Sequence, residues 1–194
     1  FQDETLKLVK DCIKDKQPIP SAVHERLLKG FSQYTITGGM PAAVVAFFET
    51  QDTKTVQEIQ RAILDLYKQD ISKYGSNKTH IRRIFESIPA ELDKKNKRFK
   101  LSDLSKTARM ERYESDFMWL IDAGVALPCY NVSAPIEPLS INEQRNLFKL
   151  FLCDIGLLSS QMPSKVRLEF LQGELSANWG SILENAIAQE MVAH

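Results

Sequence analysis

The stretch RMERYESDFMWLIDAG, residues 109–124, followed at once by VALPCYNV, residues 125–132, decides the fold class. In the first part Tyr113, Phe117, Leu120 and Ile121 recur at helical spacing, and Gly124 supplies a helix stop. In the second part the period changes, and the β-branched and aromatic residues read as a strand. A second β-rich run, Leu147 to Leu152, lies beyond a polar, proline-containing loop, Ser133 to Asn146. Upstream, Ile81, Ile84, Phe85 and Ile88 predict a helix that ends near Pro89, and Leu101 to Ser105 predicts a short capped helix. Helix, short helix, longer helix and a hairpin round a long loop is the order of a winged helix-turn-helix.

Upstream the signals are all helical. Leu6, Val9 and Ile13 mark an amphipathic segment stopped by Pro18 and Pro20. Ser21 reads as an N-cap for a helix whose stripe is Val23, Leu27, Leu28, Phe31 and Tyr34. Gly38-Gly39-Met40-Pro41 breaks the chain, and Pro41 suits the first turn of a helix carrying Val44, Val45 and Phe48. Thr55 to Glu58 has capping-box spacing, and Val56, Ile59, Ile63, Leu66 and Tyr67 share a face of the helix that follows, expected to reach Lys73. The last apolar face, Ile182, Leu183, Ile187 and Met191, belongs to a helix over 179–192. The expected class is therefore mainly α (α+β): a helical bundle over 1–77, a winged-helix-like module with a small β-hairpin over 78–160, and the start of a further domain over 161–194. The chain does not open with Met and its last helix runs on without a cap, so a piece of a longer protein is expected.

Composition narrows the function. Hydrophobic residues make up 43% and charged residues 26% of 194 residues, ordinary for a folded globular chain. Lys plus Arg equals Asp plus Glu at 25 each, so the chain as a whole has no bias towards polyanions. No apolar run approaches the roughly 18 to 20 residues that cross a bilayer. Phe1 to Lys16 is charged rather than a signal peptide, and a cytoplasmic setting is expected. Cys12, Cys129 and Cys153 form no CxxC pair and are expected to be buried thiols. His24, His80 and His194 sit beside no other plausible ligand, so neither a metal nor another cofactor is expected in this stretch. Walker A, GxGxxG and GxSxG patterns do not occur.

One stretch stands out by charge. Between Glu91 and Arg112 the cations Lys94, Lys95, Lys97, Arg98, Lys100, Lys106, Arg109 and Arg112 outnumber the four acids by four. These eight are the candidate nucleic-acid contacts, since winged-helix modules present this region to a duplex. The plainer reading is a solvated loop and helix surface, or a protein contact, and Glu111, Glu114 and Asp116 on the expected recognition helix would repel phosphate. The aromatic residues Phe47, Phe48, Tyr67, Phe85, Phe117 and Trp119 lie beside aliphatics and are expected in the core.

Several segments, taken in order, resemble one family. They are Tyr34 to Val44 around Gly38-Gly39-Met40-Pro41, Ile59 to Ile71, Ile84 to Pro89, Trp119 to Gly124, Lys149 to Leu158, and Glu184-Asn185 through Glu190-Met191. They are similar to the C-terminal region of bacterial and archaeal AAA-type ATP-binding proteins. In that family a P-loop ATPase core precedes helices, a winged-helix-like region and a restriction-endonuclease-like (PD-(D/E)XK) fold. The resemblance implies a non-catalytic interaction module that binds DNA or a partner protein, with the family's own ATPase core as a partner. ATP and Mg would belong to that core. It also implies a scaffold for a nucleic-acid-processing enzyme as one alternative and a structural or oligomerisation role as another. Glu184 matches the family's first-helix acid, a possible remnant of catalysis, but one carboxylate cannot hold a catalytic metal.

Overall fold

A computed structural model describes residues 3–74, 77–94, 98–99, 110–173 and 179–194. It is mostly helical with one two-stranded antiparallel sheet. Five helices lead: α1 Asp3–Lys14, α2 Ser21–Thr37, α3 Pro41–Thr50, α4 Thr53–Tyr74 and α5 Lys78–Asp93. Then come α6 Met110–Asp122, β1 Ala126–Val132, a 3-10 turn Leu139–Asn142 and β2 Glu143–Leu152. Three helices close the chain: α7 Ile155–Ser160, α8 Ser164–Leu171 and α9 Trp179–Ala193.

The strands pair from Ala126 opposite Leu152 to Tyr130 opposite Phe148, then slip to Asn131 opposite Gln144 at a bulge. β2 thus starts four residues earlier than its apolar pattern, because the bulge lets its polar half, Glu143 to Asn146, continue the ladder. One hydrophobic cluster draws on every element from α2 to α9 except α3 and the 3-10 turn: Ile36 and Leu64, then Ile81, Ile84, Phe85, Ile88 and Leu92 of α5, Phe117, Leu120, Ala126 and Phe148, and finally Leu157, Phe170, Ile182 and Ala186. Phe99, Phe117 and Phe148 meet at 5.1 to 5.8 Å between ring centroids, a packed aromatic trio at its centre.

Several local expectations change. α5 continues through Pro89 to Asp93, because Ile88 and Leu92 on either side are both fully buried against α6 and β2. The lost backbone bond is offset by that burial. α4 starts at Thr53, where the Asp52 carboxylate accepts from the backbone N–H of Lys54 and Thr55 at 3.0 and 3.1 Å, in place of the Thr55 box. Its buried face is also rotated: Val56, Gln60, Leu64 and Ile71 are inside while Leu66 is exposed. α2 begins with Ser21, but no side chain caps it. On α3 the buried residues are Ala43 and Ala46, and Val45 and Phe48 point to solvent, Phe48 at 74% exposure. Small side chains let α3 approach α4 closely, which turns its bulky residues away. The predicted short helix over Leu101 to Ser105 lies outside the described residues.

Candidate interaction surface

The first-quoted glycine pair meets the end of β2. Gly38 takes φ +69° at the C-terminus of α2, and a Cβ there would stand 2.3 Å from Asp154 Oδ1. Asp154 caps α7, accepting from the Leu157 N–H at 2.9 Å, and its second oxygen accepts from the Gly39 N–H at 2.6 Å. Gly156 is equally constrained, since a Cβ would lie 2.6 Å from both Thr37 O and Gln60 Nε2. Gln60 in turn donates to Ile36 O and Thr37 O at 2.8 and 2.9 Å, binding the last carbonyls of α2 that no helical N–H reaches. The glycines therefore serve a close crossing of backbones, not a phosphate loop. Burial raises the Asp154 pKa, and the N–H groups of Gly39, Leu157 and Gly156 work against that shift.

The last helix is bolted to this junction by polar side chains. Asn185 brackets one residue of β2, accepting from the Leu152 N–H at 2.9 Å and donating to the Leu152 carbonyl at 3.0 Å. Gln189, one turn on, accepts from the Ile155 N–H at 2.8 Å and donates to the Tyr34 hydroxyl at 3.0 Å. That hydroxyl donates to Glu190 at 2.7 Å, and burial, then the Glu190 contact, hold it protonated far above the usual tyrosine range. Ile182 and Ala186 complete the buried face of α9. Three of the segments quoted for the family resemblance, around residues 38, 154 and 185–190, thus converge on one knot.

The opposite side of α9 is apolar and uncovered. Leu183, Ile187 and Met191, spaced four residues apart, are 38%, 59% and 78% exposed and form a straight ridge. A groove lies on each flank. One, of about 470 Å³, runs along the hairpin past Tyr130, Phe148, Phe151 and the exposed thiol of Cys129. The other, of about 520 Å³, lies between α9 and α2, floored by Phe31, Tyr34 and Ala186. The sequence pattern gathered Ile182, Leu183, Ile187 and Met191 on one face. The structure divides them, with Ile182 inside and the other three outside.

The candidate contacts fare unevenly. Lys95, Lys97, Lys100, Lys106 and Arg109 lie outside the described residues. Lys94 is paired with the almost fully buried carboxylate of Glu91. Arg98 lines the hairpin groove beside Lys149 and Glu184, and Arg112 is exposed on α6. Glu184 accepts from Lys149 Nζ at 3.1 Å. Asp116 is turned inward, fully buried, accepting from Asn77 Nδ2 at 3.0 Å and lying 3.3 Å from His80 Nδ1, so it presents no charge on the outer face of α6. Glu114 is exposed and 3.5 Å from Arg145. Among the described residues no three His, Cys, Asp or Glu side chains are grouped to hold a metal, and no helix is long and apolar enough to cross a membrane. None of the three thiols is fully buried as expected: Cys129 is exposed, and Cys12 and Cys153 are half-buried. Cys153, beside Tyr67, is a poor nucleophile, its pKa pushed up to about 11 by burial.

A helical body that clamps a two-faced terminal helix against a hairpin defines a scaffold whose open features are surface grooves. Residues 28–166 match the family described as the domain of unknown function DUF8612, and the chain belongs to that family. No curated protein and no solved structure matches it. The clamping residues Asn185 and Gln189 fall beyond the matched stretch.

Proposed function

We propose that the chain is a non-catalytic interaction module of an AAA-type ATPase, and that its outer α9 ridge docks a protein, the ATPase core itself. The ridge of Leu183, Ile187 and Met191 carries this reading, since a helix apolar on both faces is ordinarily packed on both. The resemblance supplies the ATPase as the partner. Protein contact is preferred to DNA because Lys94, one of the described candidates, already holds the acid Glu91, and the exposed acid Glu114 stands on the same helix as Arg112. The pairing of Glu184 with Lys149 likewise favours a scaffold over a catalytic role.

Titrating a separately purified P-loop core from the same reading frame into the chain, followed by calorimetry, tests the reading. Binding that falls by at least about tenfold in Ile187→Asp and Met191→Asp, with unchanged circular dichroism, is the expected outcome. Absence of heat, or equal binding by both variants, overturns it. Salt-sensitive binding to duplex DNA that is lost when Lys97, Arg98 and Lys100 become Ala would put phosphate contact in its place.

A further inference from the structure

Four buried side-chain nitrogen or oxygen atoms have no hydrogen-bond partner among the described residues, and two of them belong to one guanidinium, Nε and Nη2 of Arg167. Those two atoms form one edge of the group, the edge that grips a carboxylate or phosphate with two parallel bonds. Arg167 is only 5% exposed and shares the inner face of α8 with the fully buried Phe170. No acid among the described residues pairs with it. The charge that acts on it is another cation, Arg61 of α4. Burial first, and Arg61 second, push its pKa down to about 10, so it stays charged at neutral pH. Arg61 is exposed and forms no ion pair among the described residues. One helical turn before it, Gln57 donates to Ser160 O at 2.9 Å, which sets this face of α4 against the end of α7, shortly before α8 begins.

Two guanidiniums of like charge repel, and a buried charge without a counter-charge is strongly unfavourable. An apolar residue of similar length would fill the position of Arg167 better. We propose that Arg167, with the charge of Arg61 acting on it, is an oxyanion-binding site on the inner face of α8, which packs on α2, and that it takes one phosphate or carboxylate group. The anion accepts the two free N–H donors of Arg167 and neutralises the repulsion from Arg61. The site is nearly closed, so the ligand is small, and side chains shift for it to exchange. This inference is independent of the docking ridge.

Thermal unfolding of the full chain in an amine buffer tests it, with 10 mM phosphate, 10 mM acetate, or chloride at matched ionic strength. One of the two oxyanions is expected to raise Tm by roughly 3 to 5 °C over chloride, as for a ligand near ten times its Kd. The comparison of phosphate with acetate names the group. Arg167→Met should unfold at a higher temperature than wild type without the oxyanion and gain nothing from it. Arg61→Met, which removes the repelling charge, should raise the anion-free Tm slightly and lower the increment. If Arg167→Met does not fold, Arg167→Lys, which keeps the charge without the fork, should lose most of the increment. ³¹P line broadening of phosphate should fall in Arg61→Met in step with the increment if phosphate is the ligand. An increment of equal size in the Arg167 variants, or none in wild type, overturns the proposal. It is also overturned if Arg167→Met loses anion-free stability and Glu174→Gln reproduces that loss, which would assign the guanidinium an internal carboxylate.

Discussion

The two terminal helices begin as the same kind of signal and end differently. α1 carries Leu6, Val9 and Ile13 at helical spacing, and α9 carries Ile182, Leu183, Ile187 and Met191. Yet α1 buries only Thr5, whose hydroxyl accepts from Arg26, and leaves Leu6, Leu8 and Ile13 exposed. α9 buries Ile182, Asn185 and Ala186 and packs on α7, α5 and both strands. What separates them is polar. Asn185 and Gln189 bond backbone groups at the end of β2 and the start of α7, so α9 has one register in which it fits. Apolar periodicity makes a helix amphipathic. Directional bonds decide where it docks.

The comparison can be broken most directly at Asn185. Asn185→Ala strips the partners of both the Leu152 N–H and its carbonyl, and should cost roughly 3 to 5 kcal/mol in urea unfolding. A loss below about 1 kcal/mol would mean that apolar burial alone seats α9. Gly38→Ala comes next. It combines a positive φ with a Cβ clash on Asp154, and a loss of roughly 2 to 4 kcal/mol is expected. Gly124→Ala, with a φ of +67° but open space around its Cβ, should cost only about 1 kcal/mol, isolating the clash from the backbone term.

Smaller effects sharpen the other side. Deleting residues 1–16 should change the unfolding free energy read from urea titration by about 0.5 kcal/mol or less, since α1 is held by one described side-chain bond. Ile187→Asp should be similarly neutral to stability in the isolated chain, and a large loss would mean the ridge is already covered, as in a self-associated form. The pH dependence is the finest test. Because the folded pKa of Asp154 is raised, the native state holds that proton more tightly than the unfolded chain. Stability then falls as pH rises from the ordinary aspartate value through the folded one. That part of the slope should vanish in Asp154→Asn, read as the difference between the two pH profiles.

Much of the architecture was legible. The apolar residues of α5, the helix from Tyr113 to Ile121 with its stop at Gly124, and the two strands all follow from periodicity and punctuation. What escaped was carried by residues with no pattern to betray them. Gln60 lies off the apolar face expected for α4 and is nevertheless fully buried, because its partners are two carbonyls on another helix. Phe48 reads as core and is exposed, because the alanines beside it set how closely α3 approaches α4. No motif in the sequence singles out Arg167, and only its packed surroundings expose the unpaired fork. Glu184 and Lys94 were singled out by sequence, but the ion pairs they make were not.

The sequence by itself determined a mainly helical chain with one hairpin, the places where the chain breaks, and the absence of the local motifs that mark nucleotide or metal chemistry. Those are properties of neighbours a few residues apart, where backbone sterics and side-chain period act. Tertiary structure alone decided that Gly38, Asp154 and Gln189 meet, that α9 has a clamped face and an open one, and that Arg167 is buried without a partner. Tyr34 and Glu190, 156 residues apart, share a hydrogen bond that depends on how every helix between them packs.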